Sequence, residues 1–279
     1  MHHRKNITDT KFLNLTATTT APNQTITLTR LTVSKPSTIF WGDGTSETLP
    51  ANSTSEVTHV YASAGTYGIK VKNARLITQI GLGSATISGF DTAELRRSSV
   101  SYFRIENVIN SNIRTSDMVN WKPSLWQLFN ISSGNIIISS EHMVNWPINY
   151  FYLTSITTGV FNVSSSHMTN WRPYNWQMYN LPATGTYNIS SEHMVDWRPT
   201  VWYFMGMPST GTYNISSTHF ANWTPTEWFL YSISVGTYNI STSDFASWRP
   251  VNFYLYNLPA SGTYTFSANC FRNWTGLRI

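Results

Sequence analysis

Four histidines recur at nearly constant spacing. His142, His167, His193 and His219 stand 25 or 26 residues apart, and Asp117 and Asp244 hold the equivalent places at either end. A stack of imidazoles could bind a metal or respond to pH, because neutral imidazole is a metal ligand and its charge changes near neutrality. Two features oppose that chemistry. No chelating pair sits within one repeat, and aspartate replaces histidine freely along the series. Each of the five positions from His142 to Asp244 lies three residues after a serine suited to cap a short helix, where an acid or a polar ring supports the helix start. Capping is therefore the expected role, and no metal or cofactor is implied.

The remaining chemistry is sparse. No nucleophile–base pair, phosphate-binding loop or converging pair of carboxylates can be read from the chain, and its 13 acidic residues are dispersed. A catalytic site would have to be assembled in space from distant positions. The expectation is that this is not an enzyme. A single cysteine, Cys270, rules out an intramolecular disulfide framework and a cysteine-based metal cluster.

The histidines ride on a longer pattern that must position them. Trp121, Trp146, Trp171, Trp197, Trp223, Trp248 and Trp274 also return every 25 or 26 residues. Such a period predicts stacked coils, each too small to bury its own apolar face, sharing one continuous core. In each of six coils a serine (Ser139, Ser164, Ser190, Ser216 or Ser241 where present) precedes a helix of one or two turns that ends at a proline such as Pro199. A strand follows, with large apolar residues at its first, third and sixth positions. The first column is Trp126, Phe151, Trp176, Trp202, Trp228 and Phe253; the third runs from Leu128 to Leu255, and the sixth from Ile131 to Leu258. All three columns are expected inside. Each sixth position lies ten residues after its tryptophan, and each turn glycine from Gly134 to Gly262 lies twelve before the next. Only the turn between varies, by one residue, as a surface loop can.

The second and fourth strand positions then face solvent. They hold Gln127, Phe129, Tyr152, Thr154, Gln177, Tyr179, Tyr203, Met205, Phe229, Tyr231, Tyr254 and Tyr256. An aromatic stripe of this size is rare on a soluble protein without a partner, so these positions are the candidate binding surface. After the glycine comes a second strand with outward triplets such as Thr212, Asn214 and Ser216. Asparagine in the middle column breaks the uniform threonine lattice that an ice-binding surface would need. Sequons such as Asn162-Val163-Ser164 are expected by chance in a chain so rich in Asn, Ser and Thr.

Composition narrows the class. Of 279 residues only 11% are charged, and the net charge is +5. Apart from His2-His3-Arg4-Lys5 the basic residues are scattered, which argues against a nucleic-acid groove. No run approaches the ~20 apolar residues of a membrane span, and the polar start lacks the apolar stretch of a secretory signal. Residues 1–20 read as a polar arm. Gln24 to about Asn73 reads as all-β: Thr25 to Leu31 alternates, Ser37–Trp41 forms a strand, and Val57–Tyr61 with Gly65–Val71 is expected to form a hairpin.

Within that segment Trp41-Gly42-Asp43-Gly44-Thr45, His59-Val60-Tyr61 and Gly65-Thr66-Tyr67 resemble the signature of the polycystic-kidney-disease (PKD) domain, an immunoglobulin-like sandwich. The resemblance covers roughly 50 residues, fewer than a whole domain, so the first strands are absent or replaced. It implies an adhesive or spacer module, with Asp43 shaping a turn in preference to binding calcium. Residues 76–110 read as a degenerate capping coil, with helix-start chemistry at Asp91–Leu95 and a strand at Val100–Val108. From 111 to 279 the coils resemble divergent leucine-rich-repeat solenoids, with tryptophan where leucine is usual. The predicted fold is mainly β: a small β-sandwich over 21–75, then a β/α solenoid of about six coils with short helices. The two modules occur together in bacterial surface proteins and in tailed-phage structural proteins, and the polar start, without a secretory signal, tilts the expectation toward a non-enzymatic virion protein, such as a bacteriophage decoration, fibre or tail component. Its expected partners are other virion or surface proteins, or a host-surface glycan, within an oligomeric assembly. The alternative is a bacterial cell-surface adhesin. A polysaccharide-acting enzyme would require a carboxylate pair on the exposed sheet.

Overall fold

A computed structural model describes residues 12–266 and 277–278. The chain is mainly β, and its C-terminal part is built from parallel strands, each coil contributing one strand to each of two sheets. A single coil shows the pattern. Val201–Met205 is the first strand, Thr212–Ser216 the second, and Ser217–Phe220 a 3-10 turn that leads to the next coil. First strands join a ten-stranded sheet and second strands a seven-stranded one. These are called the long and the short sheet below.

The long sheet is in register residue by residue. Trp126, Phe151, Trp176, Trp202, Trp228 and Phe253 are successive partners across its strands. Their rings stack inside it: Trp126 on Phe151 at 5.3 Å between centroids, Trp202 on Trp228 at 5.3 Å and Trp228 on Phe253 at 4.8 Å. All six are fully buried, as are the helix-side tryptophans Trp121, Trp171, Trp197, Trp223 and Trp248. The third column is buried too, and in the sixth column only Leu258 is half-buried. Trp274, Cys270 and the basic run at 2–5 lie outside the described residues.

The predicted helices shrink to 3-10 turns of three or four residues. The tryptophan lies only three positions after the turn's last apolar residue, and the backbone closes there by a tight bond, as from Trp171 N to Met168 O at 2.9 Å. The expected serine caps also differ. Ser164 accepts from Ser166 N, but Ser139, Ser190, Ser216 and Ser241 form no side-chain cap bond. The bonding serine is the next residue, and it bonds across coils.

Corners carry their own residue types. The residue after each first strand is left-handed: Asn107, Asn130, Ser155, Asn180, Gly206, Ser232 and Asn257 have φ between 51° and 56°. Asparagine, serine and glycine tolerate that region where bulky residues do not. Gly134 and Gly185 need glycine for two reasons. Their φ values are 116° and 115°, and a Cβ on either would overlap the backbone of the preceding second strand, at Ser111 and Phe161 respectively. The variable turn is braced rather than free. Tyr187, Tyr213 and Tyr264 donate their hydroxyls to the carbonyls of Pro182, Pro208 and Pro259, at 2.8, 2.8 and 3.0 Å. The added proline thus comes with a tyrosine that holds its turn.

The N-terminal part departs from expectation at three places. Leu13–Thr19, read as arm, is a strand whose alternate residues are buried; it pairs with Gly65–Val71 and with Ile87–Ser88. The N-terminal sheet structure therefore begins before residue 21. The expected hairpin does not form. Val57–Tyr61 pairs with Gln24–Leu28, whereas Gly65–Val71 pairs with Leu13–Thr19 and Ser37–Phe40 in a separate five-stranded antiparallel sheet. Buried residues of both sheets, among them Leu15, Ile39, Ile69 and Ile26, Leu28, Tyr61, join one core that continues into the coils. Finally, the boundary at 75 is crossed by strands. Arg30–Val33 pairs antiparallel with Ile77–Leu82 and closes the end of the long sheet, so an N-terminal strand itself supplies the cap. The capping coil has the expected start, with Asp91 accepting from Ala93 N at the head of Thr92–Leu95.

Two substitutions test the stack. Trp202→Ala empties the first column and is expected to cost about 3–5 kcal/mol. Gly185→Ala is expected to cost at least about 1–3 kcal/mol in backbone strain alone. Chemical denaturation read by tryptophan fluorescence checks both, and a near-neutral result for either would contradict the packing described.

Candidate functional site

The outward face of the long sheet holds the aromatic stripe where the spacing places it. Gln127, Phe129, Tyr152, Gln177, Tyr179, Tyr203, Met205, Phe229, Tyr231 and Tyr254 are half-buried and alternate with fully buried neighbours, while Tyr256 is 42% exposed. Thr154 also lies on this face but is covered. Register brings second-position residues together, in the order Gln127, Tyr152, Gln177, Tyr203, Phe229, Tyr254. Fourth-position residues form a parallel row from Phe129 to Tyr256. A third outward row was not anticipated. Leu125, Tyr150, Asn175, Val201, Glu227 and Asn252 occupy the strand's opening position, which alternation carried one step backward from the second position would have revealed.

The face is not uniform along its length. Its N-terminal end is polar: Arg30 lies 4.5 Å over the Tyr102 ring and donates to Gln79, and Arg104 pairs with Glu106. Its far end is aromatic. Tyr203 contacts Phe229 at 4.2 Å, Phe229 stacks on Tyr254 at 4.4 Å, and Tyr231 stacks on Tyr256 at 4.5 Å with 11° between planes. Stacked rings cover each other's faces, so what they offer a partner is edges and hydroxyls. Glu227 accepts a hydrogen bond from the Tyr203 hydroxyl. Burial first, then this bond, pushes the Tyr203 phenol well above its ordinary range. Among the described residues, Glu106 and Glu227 are the carboxylates of this face, five strand steps apart. At ~4.8 Å per step that separation is ~24 Å.

The histidine series proves to be an inter-coil staple. Buried hydroxyls one residue after the cap position accept the backbone N–H of the next coil. Thr92 accepts from Arg114 at 3.0 Å; Thr115 from Ser139, Ser140 from Ser164, Ser165 from Ser190, Ser191 from Ser216 and Ser217 from Ser241 all do so at 2.8 Å. The histidine or aspartate of the next coil meets the same hydroxyl. His167 Nδ1 lies 2.9 Å from Ser140, His193 Nδ1 2.9 Å from Ser165 and His219 Nδ1 2.8 Å from Ser191. Asp117 and Asp244 accept from Thr92 and Ser217. His142 instead lies 3.6 Å from the Glu141 carboxylate. Histidine and aspartate interchange because both can meet a hydroxyl. Among the described residues no group of three or more His, Cys, Asp and Glu side chains is placed to hold a metal ion.

Asp43 sits in a closed network. Its carboxylate accepts from Thr45 N and Oγ1 and lies 2.7 Å from His59 Nε2. Burial pushes its pKa up, but the bonds from Thr45 and His59 outweigh it and hold the value at about 2. Trp41 stacks on His59 at 4.8 Å, and Tyr61 donates to the Trp41 carbonyl at 2.7 Å. Trp41, Asp43, Thr45, His59 and Tyr61 are thus each engaged with another residue of the motif, as a structural turn requires.

No helix of the described residues is long and apolar enough to cross a membrane. Comparison with family models, with curated proteins and with solved structures yields no match.

Two outcomes follow from the staple. Ser165→Ala strands the buried Ser190 N–H and is expected to cost about 1–3 kcal/mol, measurable by denaturant titration. Asp117, fully buried, accepts from Arg96, Thr92 and Arg114. Burial raises its pKa, yet these bonds prevail and leave it lowered from 3.8. Its contribution is therefore present above 3.8 and lost as pH falls through the lower folded value. Asp117→Asn should melt lower than the parent at neutral pH, with the gap closing in that acid window. A gap independent of pH would refute the assignment.

Proposed function

We propose that this chain is a non-enzymatic structural and adhesive component of a virion, with the aromatic end of the long sheet as its assembly face. The fold is read as a PKD-like sandwich continued by a leucine-rich-repeat-like solenoid of about six coils, modules that occur together in tailed-phage structural proteins. The observation that carries the proposal is the joined cluster of Tyr203, Phe229, Tyr231, Tyr254 and Tyr256. Rings fixed by stacking lose little entropy on binding, and their edges and hydroxyls suit a flat protein surface. Sugar rings, by contrast, stack on exposed aromatic faces, and here those faces are mutually covered. A polysaccharide-acting enzyme draws no support from this face, since catalytic carboxylates work about 5–10 Å apart and Glu106 and Glu227 are much farther.

A bacterial cell-surface adhesin is the second reading, favoured by the same pairing of modules. Immunogold labelling with antibody to the recombinant chain separates the two: labelled phage particles support the virion reading, labelled bacterial envelope the adhesin, and neither outcome would reject both. In particles that carry the chain, a photo-crosslinking residue at position 254 should capture a second virion protein. One at position 239, on the short sheet, should not. Equal capture at both positions would sink the aromatic face as the assembly surface.

A further inference from the structure

The short sheet carries a different kind of surface. Two grooves open where its outward side meets the 3-10 turns, each about 320 Å³ in volume. Glu141, Asn162, His167 and Asn188 line one; Glu192, Asn214, His219 and Asn239 line the other. Position by position these sets are equivalent and lie two coils apart. The cause is the spacing of two glutamates in one column. Ser116, Glu141, Ser166, Glu192, Thr218 and Ser243 follow one another along the coils, so Glu141 and Glu192 stand two coils apart with one serine between them. The two walls are matched in exposure, with side chains 62% and 63% accessible.

The polar groups of each groove are held from beneath. Nδ1 of His167 and of His219 is bound to a buried serine hydroxyl, which fixes the ring and leaves Nε2 as the nitrogen available to a ligand. The Asn162, Asn188, Asn214 and Asn239 side chains project from the exposed side of their strands. Carboxylate, amide and imidazole groups on a rigid surface suit a ligand rich in hydroxyl and amide groups. Two coils advance by ~9.6 Å at ~4.8 Å per strand, close to the advance of two units in an extended β-1,4-linked sugar chain. The glutamates disfavour an acidic chain. We propose that the short sheet binds a neutral, linear β-1,4-linked polysaccharide lying along the coil axis, one disaccharide per groove. This site is separate from the aromatic face, and it stands whether or not that face mediates assembly.

The test is calorimetric titration of the intact chain with disaccharides and hexasaccharides of β-1,4-linked glucose and of β-1,4-linked N-acetylglucosamine. Occupying both grooves makes the second contact intramolecular, so one of the two hexasaccharides should bind at least about tenfold tighter than its disaccharide. Asn214→Ala and Glu192→Gln remove one groove by changing exposed side chains. Either should bring the two lengths to within about twofold of each other. Tyr231→Ala, on the opposite face, should leave the length dependence intact. Absence of binding by both sugars, equal affinity for both lengths, or an unchanged ratio in Asn214→Ala and Glu192→Gln would overturn the proposal. Loss in Tyr231→Ala alone would move the binding to the aromatic face and equally overturn it.

Discussion

Registration between coils is the constraint on which the rest of this molecule depends. No coil has a core of its own: Trp202 is covered by Trp176 on one side and Trp228 on the other, and the same holds for each interior member of that column. A shift of one residue in a single strand would turn its apolar set to solvent and break both neighbouring contacts at once. Ring stacking alone does not forbid a shift of two residues, which keeps the inward phase, because aromatic surface is forgiving along its own plane. Indoles in the first column add no directional bond, for Trp126, Trp176, Trp202 and Trp228 have no hydrogen-bond partner at Nε1. Something directional must fix the phase.

The buried hydroxyl series supplies that direction. Thr92, Thr115, Ser140, Ser165, Ser191 and Ser217 each reach from one coil to a defined N–H of the next, and the chain of contacts continues without a gap from the capping coil onward. A hydroxyl in an apolar interior is costly unless bonded. Any other register would leave both the hydroxyl and the strand N–H without a partner. Apolar burial thus provides most of the stability, while these few polar groups select one arrangement. The left-handed corner and the glycine at the turn act in the same sense, since each permits a close approach that only the correct phase requires.

What could be read from the sequence follows the same division. Burial leaves a periodic trace, so the tryptophan columns, the inward phase of the strand and the outward aromatic positions were all legible. Partnership leaves none. The serine that bonds lies next to the serine that resembles a cap, and no local pattern distinguishes them, because the difference lies in a residue some 24 positions away. Leu13–Thr19 was hidden for a related reason. Its alternation is carried by Leu13, Leu15 and Ala17 among threonines, a weak signal until its partner Gly65–Val71 is known. The expected hairpin fails for the opposite reason, since adjacency in sequence does not impose pairing: Val57–Tyr61 pairs with Gln24–Leu28 and Gly65–Val71 with Leu13–Thr19. The row from Leu125 to Asn252 escaped notice because its residue types are mixed, although its burial is as regular as that of the aromatic rows.

Two outward surfaces with opposed chemistry arise from one repeat, and the opposition follows from how each row changes along the axis. On the long sheet, aromatic residues accumulate in consecutive coils toward the far end, so their rings meet and merge into one surface. On the short sheet Glu141 and Glu192 stand two coils apart with Ser166 between them, so the two walls are kept apart and space is left between them. A merged patch is suited to one extended contact, whereas a spaced series is suited to a ligand that itself repeats. Because the coils are held in fixed register, a substitution at one outward position alters the pattern without disturbing the core beneath it. Such a scaffold lets the two surfaces diverge independently, each governed by the spacing of a few side chains along a common axis.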